Sequence, residues 1–126
     1  LICVFGACGG GRDKWKRPIL GKIASSYCDE VILTNEDPYD ENPRQILSEI
    51  KSGLSRAESR DAFAVHEVPD RREAIREALS IAQEGDVVVV SGKGSEDAIA
   101  VAGGKKIPWD ERKVIEEEFA KLHKNP

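Results

Sequence analysis

Apolar and polar residues fall into blocks along this chain, and the blocks follow a repeating order. Leu1 to Phe5 is a continuous apolar run that stops at Gly6, and three glycines follow at Gly9, Gly10 and Gly11. After a burst of charge comes a segment with Ile19, Leu20, Ile23, Ala24 and Tyr27 at near-helical spacing. The pattern predicts a buried strand, a glycine loop, and a helix from Lys16 to Tyr27 with that apolar face on a sheet. Val31, Ile32 and Leu33 form a second wholly apolar run, the mark of a parallel strand buried on both faces. An acidic, proline-punctuated stretch over 34–43 reads as a loop. Pro43 suits the first turn of a helix reaching about Lys51, with Ile46, Leu47 and Ile50 inward and Gly53 as its stop signal.

Residues 54–62 are polar and give no clear pattern. Ala64 to Val68 predicts a third strand, with His66 a satisfied strand residue rather than a base. Asp70 caps a helix from Arg71 to about Gln83, and Gly85 ends it. Val87 to Val90 is the strongest strand signal and runs into Ser91-Gly92-Lys93-Gly94-Ser95-Glu96. Ala98–Val101 and Lys105–Pro108 flank Gly103-Gly104, which predicts a hairpin at a sheet edge. A last helix covers Asp110 to His123, with Glu116, Glu117 and Glu118 on a solvated face. Strands alternating with helices predict an α/β fold: a Rossmann-like, mostly parallel sheet with helices on both faces and an antiparallel edge hairpin.

The chain of 126 residues is the size of one domain. Its 19 basic and 23 acidic residues leave a net charge of −4. That balance argues against nucleic acid as a partner. No apolar run approaches a membrane span or a signal peptide, so neither a membrane partner nor export is expected. Cys3, Cys8 and Cys28 are odd in number and lack Cys-x-x-Cys spacing, which suggests reduced thiols in a cytoplasmic protein and no metal site. Cys8 reads as loop packing. A strand beginning at residue 1 with no lead-in suggests a piece of something longer.

Parallel sheets bind ligands at the carboxyl ends of their strands, and three loops fall there: 6–17, 34–43 and 91–97. The first offers free backbone amides and the cations Arg12, Lys14, Lys16 and Arg17. The second is acidic, with Glu36, Asp37, Asp40 and Glu41. The third brings Gly92, Gly94, Lys93 and Glu96. A ligand with a carboxylate at one end and an ammonium at the other suits this mixture, and a free amino acid is the simplest example.

These same residues resemble a family. Gly9-Gly10-Gly11-Arg12-Asp13-Lys14-Trp15-Lys16-Arg17-Pro18 is similar to the Gly-Gly-x-Arg-Asp-x-x-Lys-Arg-Pro stretch of the Mur ligases, most closely the MurE type that adds the third amino acid to UDP-N-acetylmuramoyl-L-alanyl-D-glutamate. Gly92-Lys93-Gly94-Ser95-Glu96 resembles their Gly-Lys-Gly-His-Glu, with Ser95 in place of the usual His. Asp70-Arg71-Arg72-Glu73-Ala74-Ile75 and Trp109-Asp110-Glu111-Arg112 match further motifs in the same order. The resemblance implies that residues 1–126 are the carboxy-terminal, amino-acid-binding domain of a three-domain ligase of peptidoglycan synthesis. ATP and Mg2+ would be bound mainly by a central domain that this chain lacks, and the UDP-muramoyl-dipeptide by another. A cytoplasmic, monomeric enzyme is implied, and the isolated domain is expected to be inactive.

Arg12 would take the amino acid's carboxylate, with Glu36, Asp37, Tyr39, Gly92 and Glu96 around its far end and no catalytic group from this domain. Asp13, Lys14 and Lys16 would face the nucleotide. Arg12→Ala should therefore weaken amino-acid binding far more than Arg44→Ala.

Relatives that use meso-diaminopimelate carry Asp-Asn-Pro-Arg in the second loop, where the arginine holds the distal carboxylate. Counted from Thr34, that motif falls on Glu36-Asp37-Pro38-Tyr39, so Tyr39 replaces the arginine. Three acids without a cation would favour a diamine such as L-lysine or L-ornithine, unless Arg44 reaches back or Lys93 pairs with the second carboxylate. Two other readings stay open: a folylpolyglutamate or cyanophycin type of ligase, and a stand-alone amino-acid or nucleotide sensing module.

Overall fold

Four short segments become the strands of one parallel sheet in the computed structural model, which describes residues 1–11, 13–54 and 64–123. The elements follow in the order β1 (Ile2–Phe5), α1 (Lys16–Tyr27), β2 (Glu30–Leu33), α2 (Pro43–Leu54), β3 (Ala64–Glu67), α3 (Arg71–Ile81), β4 (Val88–Val90), β5 (Ala98–Val101), β6 (Lys105–Pro108) and α4 (Glu111–Leu122). The sheet order is β3-β2-β1-β4. Cys3 lies beside both Val31 and Val89, and Val4 beside both Ile32 and Val90.

The chain steps outward from β1 to β2 to β3, then returns across β1 to place β4 on its other side. Right-handed crossovers then put α1 and α2 on one face and α3 on the other. The core divides accordingly. Val31 and Leu33 pack with Ile46, Leu47 and Ile50 of α2, whereas Ile2, Val4 and Ile32 pack with Ala74 and Ala78 of α3. The direction of winding reverses at β1, so the loops after β1 and β4 flank the switch point where such sheets bind ligands.

The antiparallel strands β5 and β6 form a two-stranded sheet of their own rather than an edge of the large one. The hairpin is hydrogen-bonded instead to the acidic loop. The Tyr39 amide donates to the Ala100 carbonyl at 3.1 Å.

Several sequence expectations shift. The buried face of α1 is Arg17, Gly21, Ala24 and Ser25, while Ile19, Ile23 and Tyr27 are exposed at 46%, 52% and 72%. The cause is close helix approach, because small residues bring α1 and α2 into backbone contact. A Cβ on Gly21 would stand 2.1 Å from the Ile50 carbonyl oxygen, and one on Gly53 1.8 Å from that of Pro18. Gly53 therefore serves packing inside α2 rather than stopping it. Cys3 and Cys28 are joined as a disulfide, contrary to the expectation of reduced thiols, because β1 and the end of α1 bring their Cα atoms within 6.2 Å.

Glu118 is also not on a solvated face. It is fully buried between α3 and α4, where Arg72, Arg76 and Lys121 surround it at 2.8, 2.7 and 3.2 Å. His66 is the satisfied strand residue expected, 3.2 Å from a carboxylate oxygen of both Glu30 and Glu77. The polar stretch 54–62 lies, beyond Leu54, outside the described residues. No helix among the described residues is long and apolar enough to cross a membrane.

Candidate functional site

The three strand-end loops meet, and what holds them is charge. Arg17, on the first turn of α1, is 1% exposed. Its guanidinium donates to Glu49 at 2.9 Å and to the Cys8 carbonyl at 3.0 Å, and pairs with Glu41 at 3.0 Å. One buried cation thus ties the glycine loop to the acidic loop and to α2. The Gly9 amide adds a 2.7 Å bond to the Asp37 carbonyl. Only glycine fits there, since a Cβ would lie 2.0 Å from the Pro38 carbonyl oxygen.

Arg71 does the same for the acidic loop and the third loop. At the start of α3, it grips Glu111 with two bonds of 2.9 and 2.6 Å and donates to the Asn35 and Ser91 carbonyls at 2.9 Å. Asp70 beside it caps α3 by accepting from the Glu73 amide at 2.9 Å, which fixes where the guanidinium starts.

Lys93 is the third. Its ammonium is buried against Asp37 at 2.8 Å and reaches Glu96 at 3.4 Å. Burial alone would lower its pKa, but the hydrogen bond and charge of Asp37, with those of Glu96, outweigh that and raise it.

The acids of the second loop are already engaged. Asp37 accepts from Lys93 and, at 2.8 Å, from the Ala100 amide. Asp40 accepts from the Gly103 amide at 2.8 Å, and Glu41 from the Gly11 amide at 2.6 Å. Burial opposes the ionisation of Glu41, yet the Gly11 amide and Arg17 hold its carboxyl below the usual range. Glu36 is half-buried, which raises its pKa, and it accepts from the Cys8 thiol at 3.4 Å. Burial and the neighbouring Glu36 push Cys8 up to about 11. A thiol protonated at neutral pH is a poor nucleophile, so Cys8 packs the loop.

The expected site residues divide between two cavities. Asp37, Tyr39 and Glu96 line a pocket of about 180 Å³ together with Asp97, Ala98, Ala100 and Lys106. Glu36 lines a neighbour of about 240 Å³ with Cys8, Asp13, Lys16 and Arg17. Gly92 sits against Glu36, where a Cβ would come within 3.1 Å of its carboxyl carbon. Tyr39 adopts a φ of +53°, and its ring lies over Gly10. Lys14 and Lys16 are exposed beside the glycine loop, Lys16 paired with Asp13 at 3.4 Å. Arg12 lies outside the described residues.

A larger groove of about 670 Å³ runs between the hairpin and α3–α4, and none of the described residues expected to bind an amino acid lines it.

Three readings of the sequence need correction here. Arg17 is buried rather than open to a ligand: Glu41, Glu49 and the Cys8 carbonyl engage its two terminal nitrogens, and its Nε is buried without a partner among the described residues. Lys93 is likewise buried inside the fold, its ammonium already paired with Asp37 and Glu96. The acids are also not an uncompensated cluster, since Asp37 has its own lysine. Lys106 is a lining residue that the reading missed. The signal available was strand alternation about Gly103-Gly104, which puts Lys106 opposite Ala100.

Comparison with known proteins agrees with the fold. Residues 1–94 match the family described as Mur ligase, glutamate ligase domain. The chain is 46% identical over 98% of its length to the UDP-N-acetylmuramoyl-L-alanyl-D-glutamate--2,6-diaminopimelate ligase of Caldanaerobacter subterraneus subsp. tengcongensis, covering 24% of that protein. It is 46% identical over 91% of its length to the protein of the same name in Nitrosomonas europaea, covering 20% of it. A solved structure titled as such a ligase superposes with a TM-score of 0.82 at 33% identity, over 97% of this chain and 24% of that one. The chain thus spans about a quarter of the length of the relatives it matches.

Proposed function

The chain belongs to the Mur ligase family, and from that premise we propose that residues 1–126 are the amino-acid-binding, carboxy-terminal domain of a three-domain, ATP-dependent ligase. The reaction joins a diamino acid to UDP-N-acetylmuramoyl-L-alanyl-D-glutamate in the cytoplasm during peptidoglycan synthesis, and the enzyme works as a monomer. One observation carries this reading. A strand-end pocket beside the switch point gathers Asp37, Tyr39 and Glu96 from two loops, in a chain 46% identical to a relative named for that reaction.

ATP with Mg2+ supplies the activation of the acceptor's carboxylate. Among the described residues no three His, Cys, Asp or Glu side chains are grouped to hold a metal ion. The exposed Lys14 and Lys16, with Asp13, suit phosphates held by another domain.

This domain's own part is positional. Arg12, directly after the glycines, takes the amino acid's carboxylate through the paired hydrogen bonds a guanidinium offers. Glu36, Gly92 and Glu96 surround the rest of the molecule. Held so, the amine meets the activated carboxylate in a fixed orientation, a proximity effect with no protein nucleophile.

The test is ADP release by the full-length enzyme. Release should require the UDP-muramoyl-dipeptide and a diamino acid together, and the isolated 126-residue chain should show none. Turnover with a folate or peptide acceptor instead would move the protein to the folylpolyglutamate or cyanophycin class. Amino-acid binding without any turnover would make it a sensing module.

A further inference from the structure

The hairpin β5–β6 presents two unlike faces. Ile99, Val101 and Ile107 point to the large groove against α3 and α4, while Ala98, Ala100 and Lys106 line the small pocket with Asp37, Tyr39 and Glu96. Antiparallel pairing sets Lys106 opposite Ala100 and Lys105 opposite Val101, so alternation gives the pocket Lys106 and not Lys105.

Charge accounting then isolates Lys106. Asp37 is neutralised by Lys93, whose ammonium is buried and fully used. Glu96 keeps its side chain 56% exposed and is 3.4 Å from that ammonium. Tyr39 brings no positive charge into the pocket. Among the described residues that line it, Lys106 is the one cation without an internal carboxylate partner. Glu96, mostly exposed beyond its 3.4 Å contact with Lys93, and the exposed Asp97 are the acids a ligand can reach.

The pocket therefore offers one anion-binding and one cation-binding group at the far end of the bound amino acid. We propose that Lys106 is the specificity-determining residue of this site, where it binds a carboxylate at the distal end of the amino acid while Glu96 receives the distal ammonium. The substrate class that fits is a diamino dicarboxylate, an amino acid zwitterionic at both ends; L-lysine and L-ornithine would leave Lys106 unpaired. The assignment rests on the ligase reading above.

The experiment compares meso-diaminopimelate and L-lysine as substrates of the full-length enzyme and of its Lys106→Ala, Lys106→Arg and Lys105→Ala variants, with thermal melts of each. The wild type should prefer meso-diaminopimelate. Lys106→Ala should lower its kcat/KM for that amino acid about tenfold or more, mainly through KM, and change that for L-lysine less than about threefold. Lys106→Arg should keep most of the preference, and Lys105→Ala all of it. An equal loss with both amino acids, no loss with meso-diaminopimelate, or a wild-type preference for L-lysine would each overturn the role of Lys106 while leaving the ligase reading intact. Ligation of neither amino acid would refute the ligase reading, and the assignment with it.

Discussion

Two charged clusters in this domain use the same side chains to opposite ends. At the strand ends the buried member is a cation: Arg17, Arg71 and Lys93 are each 3% exposed or less and each collects partners from separate segments. At the α3–α4 seam the buried member is an acid, Glu118, and its partners Arg72, Arg76 and Lys121 reach in from solvent. The first arrangement sets loop backbone, because each of its guanidiniums also bonds a loop carbonyl. The second joins two helices and orders no loop. Similar ion pairs can thus set loop backbone or merely join two helices, and what decides is which backbone they hold.

Substitutions that remove one partner should separate the two. Arg71→Ala should cost most, about 3–5 kcal/mol by chemical denaturation, because Glu111 would be left as a buried charge with no cation and only the Trp109 indole N–H as a side-chain donor. Arg71→Lys should recover only part, since an ammonium cannot repeat the paired grip on one carboxylate. Lys93→Met should cost about 2 kcal/mol, since Asp37 keeps the Ala100 amide. Both should also raise the amino acid's KM in the full-length enzyme.

Glu118→Gln should cost less, roughly 1–2 kcal/mol, and leave KM unchanged, because the cations it frees already reach water. Comparable KM increases from Glu118→Gln and Lys93→Met would erase the distinction drawn here.

The smallest effect is one of pH. Hydrogen bonds from Arg76, against the opposing effect of burial, and then from Arg72 and Lys121 hold Glu118 at about 2, below its ordinary 4.5. A depressed carboxylate stabilises the fold fully above its unfolded value and loses that contribution as pH falls toward its folded one. The stability gap between wild type and Glu118→Gln should therefore narrow between about 4.5 and about 2, and stay flat above.

The same contrast explains what could be read from the chain. The parallel sheet was legible because continuous runs such as Val31-Ile32-Leu33 report burial on both faces directly. The α3 cap at Asp70 was legible because cap and helix are neighbours in sequence. Arg17 and Lys93 were visible as charges but misread as ligand groups. Their partners Glu41, Glu49 and Asp37 lie 24 to 56 residues away, and only the fold decides whether an exposed or a buried acid meets them. Gly53 looked like a helix stop for the same reason, as the carbonyl it accommodates belongs to Pro18. The Cys3–Cys28 bond was hidden because no spacing rule encodes the approach of β1 to the end of α1. Lys106 needed only the hairpin's register, the most local of these signals, to be placed beside Ala100.

The central claim is that the amino acid lies over the strand ends, in the pocket of Asp37, Tyr39, Glu96 and Lys106, and not in the larger groove behind the hairpin. A crystal structure of the full-length enzyme with its amino acid bound tests this most directly. The account predicts ligand density between Glu96 and Lys106 at one end and the glycine loop at the other. Density against Ile99, Ile107 and Val114 in the groove of about 670 Å³, with the strand-end pocket empty, would contradict it.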